Sequence, residues 1–543
     1  MVFARRSTTL LAAIIASCAM VLSLTACTSD NKTVVDGQTT VTSNSAGGVA
    51  VFTPSDDITL NQQTPLNKWA KLVPDLAKAL ADAGFKKGDI DHTTSDSLAK
   101  QSRAIQDFVV DHLSNNTTDD SGIAIAPDNM TLLVAPVVEA DASTRQYGDY
   151  ISQNLSTNDA TDEGATSDGE SSEDDSSKDD SSNTESDSTA SDEQAQAVDR
   201  LVSSLKLAKE SGMHVVLLGN SIEGYKPDAF VKFSDAQTIG KLQAEKMVSK
   251  LKLDKASKDN PKYIEVLLPY TAVDEKGNAN DSTFAQEAFR GIWQVLGSYY
   301  QKGVVESPSG TLDGKSTEND WQAVAYDAAK EGSTAKVLDK RLAKTDGQST
   351  LTRIDGIITM NDYIASEVVK ELDDLGYTGS AADINPQITI SGIVGNITGK
   401  KDLSRDAVPD PIKSPENDNA NDSSSSDDDA DEDTSASDKD RDSQWPLVTG
   451  YGAYVSNIPS IVNGKQWMTG MEDRQTIATD IAQACAKLNK DEALNSMPSI
   501  RNSEVGGVKK IPTISEPLLA VSASNLKSAL IDPGYISLAD AGL

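Results

Sequence analysis

Short apolar runs alternate with amphipathic stretches along most of this chain. Residues 131–136 and 214–218 are almost continuously apolar, which is typical of strands buried on both faces of a parallel sheet. In residues 72–83 and 97–112, apolar side chains recur every three to four positions, which predicts helices that each bury one face. This strand–helix–strand rhythm predicts an α/β fold of open parallel sheets with right-handed crossovers.

The alternation continues to near the end of the chain. It predicts a first short strand at 58–60 and further strands at 263–268, 303–305, 354–359 and 387–390. It predicts further helices at 198–209, 238–251, 282–297, 320–331 and 365–375. About ten strands are too many for one open sheet of this kind, so we expect two lobes of parallel sheet flanked by helices. Ligands of such folds bind beyond the carboxyl ends of the strands.

The amino terminus carries a different pattern. Two arginines precede an apolar run over 10–24, and a small residue, Ala26, stands before Cys27. These features are typical of a secretory signal peptide. The residues that end in Ala26-Cys27 are similar to the lipobox of bacterial lipoproteins, and the similarity implies cleavage before Cys27 and lipid on its sulfur. The alternative is an uncleaved transmembrane anchor, which needs about 20 apolar residues, whereas serine and threonine interrupt this segment.

Acidic residues are concentrated in two tracts. Residues 159–193 hold fourteen acids and one lysine, and 416–442 hold twelve acids, one lysine and one arginine. The tracts carry −13 and −10, which together make −23 of the net charge of −34. Because they contain almost no apolar residues, we predict disordered acidic insertions over 156–196 and 413–444. A calcium site within the second tract is the alternative to a solvated insertion, but the spacing of a calcium loop is absent.

Histidine and cysteine are few and are not grouped, and the plentiful paired carboxylates are a weak signal of catalysis in so acidic a chain. His92, His112 and His214 have no partner at metal-ligand spacing. Once the signal peptide is removed and Cys27 is modified, Cys485 is the free cysteine that remains, so no disulfide framework is expected. The sequence has no nucleophile-elbow or phosphate-loop motif, and its negative charge disfavours nucleic acid as a partner. We therefore expect neither an enzyme nor a cofactor.

A series of short motifs follows one order along the chain. The first covers 61–69, just after the first predicted strand, and the last covers 511–535. Between them lie 133–136, 231–244, 354–365, 446–450 and 461–469. In this order the motifs resemble those of sugar-binding proteins of ABC transporters, of the xylose and multiple-sugar type. The resemblance covers residues 58 to about 537.

The resemblance implies the type I periplasmic binding protein fold. In that fold two lobes of sheet and helix are joined by three hinge crossings and clamp a ligand in the cleft between them. The helix at 474–488 would belong to the first lobe. The boundaries implied are a signal peptide over 1–26, a flexible tether over 27–57, a first lobe over 58–222 and 472–504, and a second lobe over 223–471 and 505–543.

The resemblance also implies where a ligand would be held. Asn361-Asp362 matches the family's motif unchanged, and the two side chains together suit a pair of neighbouring sugar hydroxyls. Trp69 would supply an apolar platform from the first lobe. Each has a structural alternative, because Trp69 can fill a core and Asp362 can cap a helix. Asp235 keeps the aspartate of a family Asp-Asn pair whose second residue is alanine here, and it can equally cap a helix. Three other positions match the family in place but not in residue type, and they are Asn220, Tyr451 and Glu472.

Departures from the family's pattern bear on the ligand. Asn220 stands where the family usually has an arginine, and Gly452 stands where it has an aspartate. An arginine and a carboxylate that would bond sugar hydroxyls are therefore missing, and a buried hydroxyl left unpaired costs about 1–3 kcal/mol. A sugar with altered contacts, a larger glycan and another small solute all remain open.

Taken together, these patterns predict a lipid-anchored, extracytoplasmic solute-binding protein. It would capture a small molecule, a carbohydrate in first place, by hinge closure, because contacts with both lobes favour the closed state. Its partners would be that ligand, an ABC permease and, through lipid on Cys27, the cell membrane. The alternative is a surface sensor or adhesion module that keeps the fold without transport.

Overall fold

The protein contains two lobes, each with a mainly parallel sheet covered by helices, as the computed structural model shows. This confirms the predicted fold class. The predicted signal peptide, Cys27, the strand at 58–60 and the strand at 387–390 lie outside the described residues. The structure describes residues 46–55, 65–115, 125–138, 144–156, 185–273, 280–343, 351–381 and 444–543.

The first lobe is built on a seven-stranded sheet. Across it the strands lie in the order β15-β16-β7-β5-β3-β1-β2, and neighbours are parallel except in the β15–β16 pair. These strands are β1 (Gly48–Pro54), β2 (Ile90–Ser95), β3 (Met130–Val134), β5 (His214–Leu218), β7 (Ala229–Val231), β15 (Ile500–Val505) and β16 (Val508–Ile514). Two short strands, β4 (Asn154–Leu155) and β6 (Ser221–Ile222), pair with each other.

Helices cover both faces of the first sheet. On one face, Leu72, Leu76 and Leu80 recur every four residues along their helix and pack with Ile477 and Ile481 of another. The second pair of helices covers the opposite face. The helix at 474–488 therefore packs on the first lobe although the chain reaches it from the second. The four are α1 (Trp69–Asp82) with α10 (Arg474–Leu488), and α2 (Leu98–Asn115) with α3 (Glu185–Glu210).

The second lobe is built on a six-stranded sheet with the order β10-β8-β12-β13-β14-β17, in which β17 alone is antiparallel to its neighbour. Its strands are β8 (Lys262–Val266), β10 (Val305–Glu306), β12 (Gly356–Ile358), β13 (Leu447–Tyr451), β14 (Met468–Met471) and β17 (Leu519–Ser522), with a separate pair of β9 (Leu268–Pro269) and β11 (Ala325–Tyr326). Its helices are α4 (Ala236–Lys250), α5 (Thr283–Gln301), α6 (Trp321–Val324), α7 (Ser333–Arg341), α8 (Asp362–Leu375) and α9 (Ile458–Val462). Among the helices so described, none has the length and apolar character needed to cross a membrane.

The described chain passes between the two sheets at 232–235, 472–473 and 515–518. Two predicted lobe boundaries are therefore wrong. The first lobe does not end at 222, because β7 belongs to its sheet. Nor does the second lobe contain all of 505–543, because β16 pairs in parallel with β7, with Thr513 opposite Phe230.

Two segments predicted to lack structure contain regular elements. Strand β1 lies within the predicted tether, yet it sits between β2 and β3 with Val49 and Val51 buried. A run apolar on both faces is what a central parallel strand requires. Helix α3 begins at Glu185, inside the predicted insertion over 156–196, where alanine, glutamate and glutamine favour continuing the helix outward from its buried part.

Helices α4 and α5 approach each other closely through two glycines. A side-chain carbon added to Gly240 would lie 2.2 Å from the carbonyl oxygen of Ala288, and one added to Gly291 would lie 2.0 Å from that of Gln237. Because each of these contacts is with backbone, a change of rotamer cannot relieve it. The two glycines therefore set how closely the helices pack.

We expect Gly291→Ala to lower the free energy of unfolding by about 1–3 kcal/mol, the usual cost of forcing extra atoms into a packed interface. The control is Gly314→Ala, whose added carbon would lie 3.4 Å from the nearest atom, an ordinary contact distance. Urea unfolding of both variants checks the prediction. Equal stabilities for the two would contradict it.

Candidate ligand cleft

Two loops of the first lobe meet residues that follow strands of the second lobe, and we call the region between them the cleft. One loop precedes α1 and the other covers residues 144–151. From the second lobe come the residues that follow β12 and β13. The backbone amide of Leu66 donates to the carbonyl of Gly452 at 2.9 Å. Asn361 Nδ2 donates to Oε1 of Gln146 at 3.1 Å, so the lobes are in direct contact across the cleft.

A buried hydrogen-bond network joins two of the crossings between the lobes. Glu472 lies in one crossing and accepts from the backbone amide of Ser234, in another, at 2.7 Å, and also from the Ser234 hydroxyl. The Tyr451 hydroxyl, at the end of β13, lies 2.6 Å from the Ser234 hydroxyl and accepts from Asn67 Nδ2 at 2.9 Å. The structure thus brings together Tyr451 and Glu472, two of the predicted site residues, and bonds both to protein groups.

Burial dominates the electrostatics of this network. Glu472 is 1 % exposed, and burial raises the pKa of its carboxyl to about 7, although hydrogen bonds from Ser234 act in the opposite direction. Burial, with the nearby Glu472 adding to it, also raises the pKa of Tyr451 well above its ordinary value. A carboxyl with this pKa holds a proton in a large fraction of molecules at neutral pH, so it can donate as well as accept.

Asp362 is fully buried at the start of α8. Its Oδ2 accepts from the backbone amide of Tyr454 and from Oγ1 of Thr469, both at 2.9 Å, and its Oδ1 accepts from Nε2 of Gln466 at 2.7 Å. Burial raises the pKa of the Asp362 carboxyl to about 6 despite these bonds. The carboxyl supports the loop that carries Tyr454, and it would reach a ligand only by giving up bonds to the protein.

Asn361 both caps α8 and faces the first lobe. Its Oδ1 accepts from the backbone amide of Ile364 at 2.9 Å, which is the bond of a helix N-cap. Met360, directly before it, has a φ of 69°, and Ala453, after β13, has a φ of 50°. Left-handed backbone is uncommon for residues other than glycine and clusters at functional sites. Here it marks the carboxyl ends of two neighbouring second-lobe strands.

Trp69 lies in the core of the first lobe rather than on the surface of the cleft. Its side chain is 2 % exposed. The ring makes edge contacts with Tyr150 and Phe233, with centroids 5.0 and 5.7 Å away. Trp69 therefore offers no ring face to a sugar in this structure, and its position is that of a core residue.

Asn220 and Asp235 hold backbone segments in place. Asn220 donates to the carbonyl of Pro136 and accepts from the amide of Gln153, both at 2.9 Å. Asp235 caps α4, accepting from the amide of Thr238 at 2.7 Å. Asn220 thus fixes the chain on either side of residues 144–151, while Asp235 starts the first helix of the second lobe.

The sequence analysis missed the residues that the first lobe presents to the cleft, Gln146 and Tyr147. The Tyr147 ring packs on Phe284, with centroids 4.7 Å apart, and lies 6.2 Å from the ring of Tyr451. The backbone carbonyl of Gln146 accepts from the hydroxyl of Tyr454 at 2.6 Å. The sequence signal here is a pair of tyrosines around a glycine in a polar stretch. That stretch has no hydrophobic periodicity from which its position in the fold could be predicted.

The histidines of the first lobe and the free cysteine take part in other contacts. His112 is buried and stacks on Phe108, with centroids 5.9 Å apart, and His92 lies 2.9 Å from the hydroxyl of Thr53. Cys485 is buried in the first-lobe core, and burial raises the pKa of its thiol. Across the ranges that the structure describes, no group of three or more histidine, cysteine or carboxylate side chains is arranged to hold a metal.

Comparisons with known proteins differ in outcome. No protein-family model matches the sequence, and no curated protein matches it. An ABC transporter solute binding protein from Clostridium phytofermentans with bound β-D-glucose is 17% identical, with a TM-score of 0.43, over 91% of this chain and 99% of that one. A carbohydrate transporter solute binding protein from Chloroflexus aurantiacus with D-glucose is 18% identical, with a TM-score of 0.42, over 92% and 98%. These similarities are too low to assign the chain to a family, so its function is inferred from its own residues.

Proposed function

We propose that this protein is an extracytoplasmic solute-binding protein that captures a small molecule, a carbohydrate in first place, between its two lobes. The observation that carries the proposal is the meeting of two α/β lobes, linked by crossings at 232–235, 472–473 and 515–518, at the carboxyl ends of β12 and β13. Ligands of open α/β sheets bind at such ends. A solute that contacts both lobes favours their closed arrangement over an open one.

The chemistry of the cleft suits a ligand rich in hydroxyl groups. The amides of Asn361 and Gln146 can donate and accept at once, and the hydroxyls of Tyr451 and Tyr454 can do the same. The ring of Phe284, on which Tyr147 packs, adds an apolar face beside them. A few polar groups next to an aromatic surface are what a small-molecule site of this kind needs.

Features outside the cleft extend the proposal to transport. The signal-peptide pattern and Cys27 support a lipid anchor, in which each buried methylene contributes about 0.8 kcal/mol. The motif resemblance supports an ABC permease as the partner that receives the solute. A surface sensor or adhesion module is the second candidate, and one observation favours it: Asp362 and Glu472 already bond to protein groups.

Thermal unfolding of the mature protein with a panel of pentoses, hexoses and nucleosides tests the proposal. A solute at a hundred times its Kd is expected to add about 2.7 kcal/mol to the free energy of unfolding and to raise Tm by several degrees. Calorimetric titration should then show that Asn361→Ala weakens its binding by about 1–2 kcal/mol. The control is Asn463→Ala, in the loop after α9. A panel that leaves Tm unchanged would favour the sensor.

A further inference from the structure

We propose that residues 144–151 of the first lobe, which we call the bridging segment, clasp the two lobes together in the absence of ligand. The segment lies between β3 and β4, which are first-lobe strands in sequence and contact. Two of its side chains, Tyr147 and Ile151, nevertheless pack in the core cluster of the second lobe, with Ala285 and Phe289 of α5. A segment with its backbone in one lobe and its apolar side chains in the other resists separation of the lobes.

The carboxyl-terminal part of the bridging segment is bonded to the first lobe. Asp149 forms an ion pair with Lys68 at 2.8 Å and accepts from the backbone amide of Trp69 at 3.1 Å. It thereby caps α1, whose own N-cap residue, Lys68, makes no capping bond through its side chain. Tyr150 donates to the carbonyl of Lys68 at 2.6 Å and stacks on Phe233, with centroids 4.6 Å apart. These contacts hold Asp149 and Tyr150 on the first lobe, and Gln146 and Tyr147 extend beyond them towards the second lobe.

The middle of the bridging segment, at Gln146 and Tyr147, is bonded to the second lobe. Gln146 accepts twice, from Asn361 Nδ2 through its side chain and from the Tyr454 hydroxyl through its backbone carbonyl, at 3.1 and 2.6 Å. Tyr147 adds the ring contact with Phe284. The proposed function assigns Asn361 and Tyr454 to the binding of the solute. The segment therefore occupies hydrogen-bonding groups of the second lobe that a captured solute would otherwise bind.

A solute can displace the Tyr147 side chain, because the hydroxyl of Tyr147 is poorly bonded in its position against the second lobe. The Tyr147 hydroxyl is buried and lacks a hydrogen bond of good geometry within the described ranges, with the Asn361 amide as a neighbour. A buried hydroxyl without a good partner carries a cost that a better-fitting occupant relieves. This step rests on the proposed function: a solute has to displace Tyr147 before it binds. Its apparent affinity is then the intrinsic affinity multiplied by the fraction of molecules in which the bridging segment has released the second lobe.

Gly148 offers a substitution that disturbs the clasp specifically. Its φ is 99°, and an added side-chain carbon would lie 2.5 Å from the carbonyl oxygen of Asn67. Gly148→Ala should therefore push the segment away from the loop before α1. The matched control is Gly224→Ala, because Gly224 also has a left-handed φ, 70°, but an added carbon there would have nothing within 4 Å. The control shares the backbone strain without the clash.

Hydrogen exchange of the ligand-free protein tests the clasp. The reporter is the amide of Leu66, which bonds Gly452 across the cleft. We expect its exchange to be slow in the wild type and in Gly224→Ala, and about tenfold faster or more in Gly148→Ala. Tyr147→Ala, which removes the ring that the segment packs into the second-lobe core, should behave like Gly148→Ala and serves if that variant does not fold. Fast exchange in the wild type, or equal rates in all four proteins, would overturn the proposal.

Titration of the same proteins with D-glucose and D-xylose reports separately on the proposed function. A sugar that binds is expected to bind about tenfold more tightly to Tyr147→Ala than to the wild type, because a competing occupant has been removed. An unchanged affinity would contradict the clasp. If neither sugar binds any variant, the exchange rates still decide the clasp, and the carbohydrate assignment alone loses support.

Discussion

Replacing Asp362 by alanine is expected to lower the free energy of unfolding by about 3–5 kcal/mol, because three buried hydrogen-bond donors lose their acceptor. The substitution leaves the amide of Tyr454, the hydroxyl of Thr469 and the amide of Gln466 buried without their acceptor. Each such group costs about 1–3 kcal/mol, and the cavity adds to that. Denaturant unfolding followed by circular dichroism measures the loss.

A second aspartate on the same helix provides the control for Asp362. Asp373 is half exposed, and its ion pair with Lys465 lies at the surface, with an N–O distance of 2.9 Å. Asp373→Ala should therefore change stability by less than about 1 kcal/mol, as is usual for exposed ion pairs. A loss for Asp362→Ala no larger than that of Asp373→Ala would show that the buried network does not support the second lobe.

The folded protein is expected to lose stability as the pH rises from 6 to 8.5, and Glu472 should account for much of the loss. Its carboxyl has a folded pKa of about 7, whereas an unfolded glutamate titrates near 4.3. A raised pKa means that the folded state holds the proton more tightly. The contribution is therefore fully present below pH about 4 and disappears as the pH passes through 7. The whole contribution is about 4 kcal/mol, at about 1.4 kcal/mol per pKa unit, and about 1.4 kcal/mol of it is still present at pH 6 and is lost by pH 8.5.

Glu472→Gln, which stays neutral at every pH, should flatten this dependence between pH 6 and 8.5. Burial and a hydrogen bond with Asp480 raise the pKa of Glu516 to about 7 as well. Asp362, whose pKa is about 6, still titrates at the low end of this range, so a residual slope remains in both proteins. Glu492→Gln, at a half-exposed carboxyl paired with Lys487, is the control and should keep the wild-type slope. Chemical denaturation at several pH values checks this. An unchanged slope for Glu472→Gln would mean that its carboxyl is already ionised in the folded state.

Elements whose pattern was unambiguous were predicted well. The run over 214–218 coincides with β5, because four consecutive apolar positions after His214 and a glycine-terminated helix fit a buried parallel strand and little else. The helix predicted at 365–375 corresponds to α8, which starts earlier, at Asp362, since Asn361 provides the cap. Capping residues fix a helix start that hydrophobic spacing alone leaves open.

Elements whose local pattern conflicts with their tertiary partners were predicted badly. The helix expected over 320–331 stops at Val324, because Ala325 and Tyr326 pair with β9 instead. Strand β1 was missed because its apolar run follows a polar stretch next to the predicted anchor, and its two neighbouring strands come later in the chain. Long-range pairing overrides local propensity in the first case. In the second, the local pattern agrees with a strand, and its place next to the predicted anchor led to its assignment as a tether.

The candidate site was predicted only in part, for a similar reason. Asn361 and Tyr451 were identified by matching positions, and both lie at the ends of second-lobe strands. Gln146 and Tyr147 lie on a loop without regular structure, so neither spacing nor motif places them opposite α5 and α8. Trp69 was expected in the cleft because its motif resembles a ligand loop that follows the first predicted strand, whereas its neighbours Tyr150 and Phe233 enclose it in the core.

A crystal structure of the mature protein with the solute that raises its Tm tests the central claim most directly. The account predicts that the solute lies between the lobes, bonded to Asn361 and the Tyr454 loop on one side and to first-lobe residues on the other, with Tyr147 moved out of the position described above. A solute bound outside the cleft, or held by residues of one lobe alone with the bridging segment in place, would contradict it.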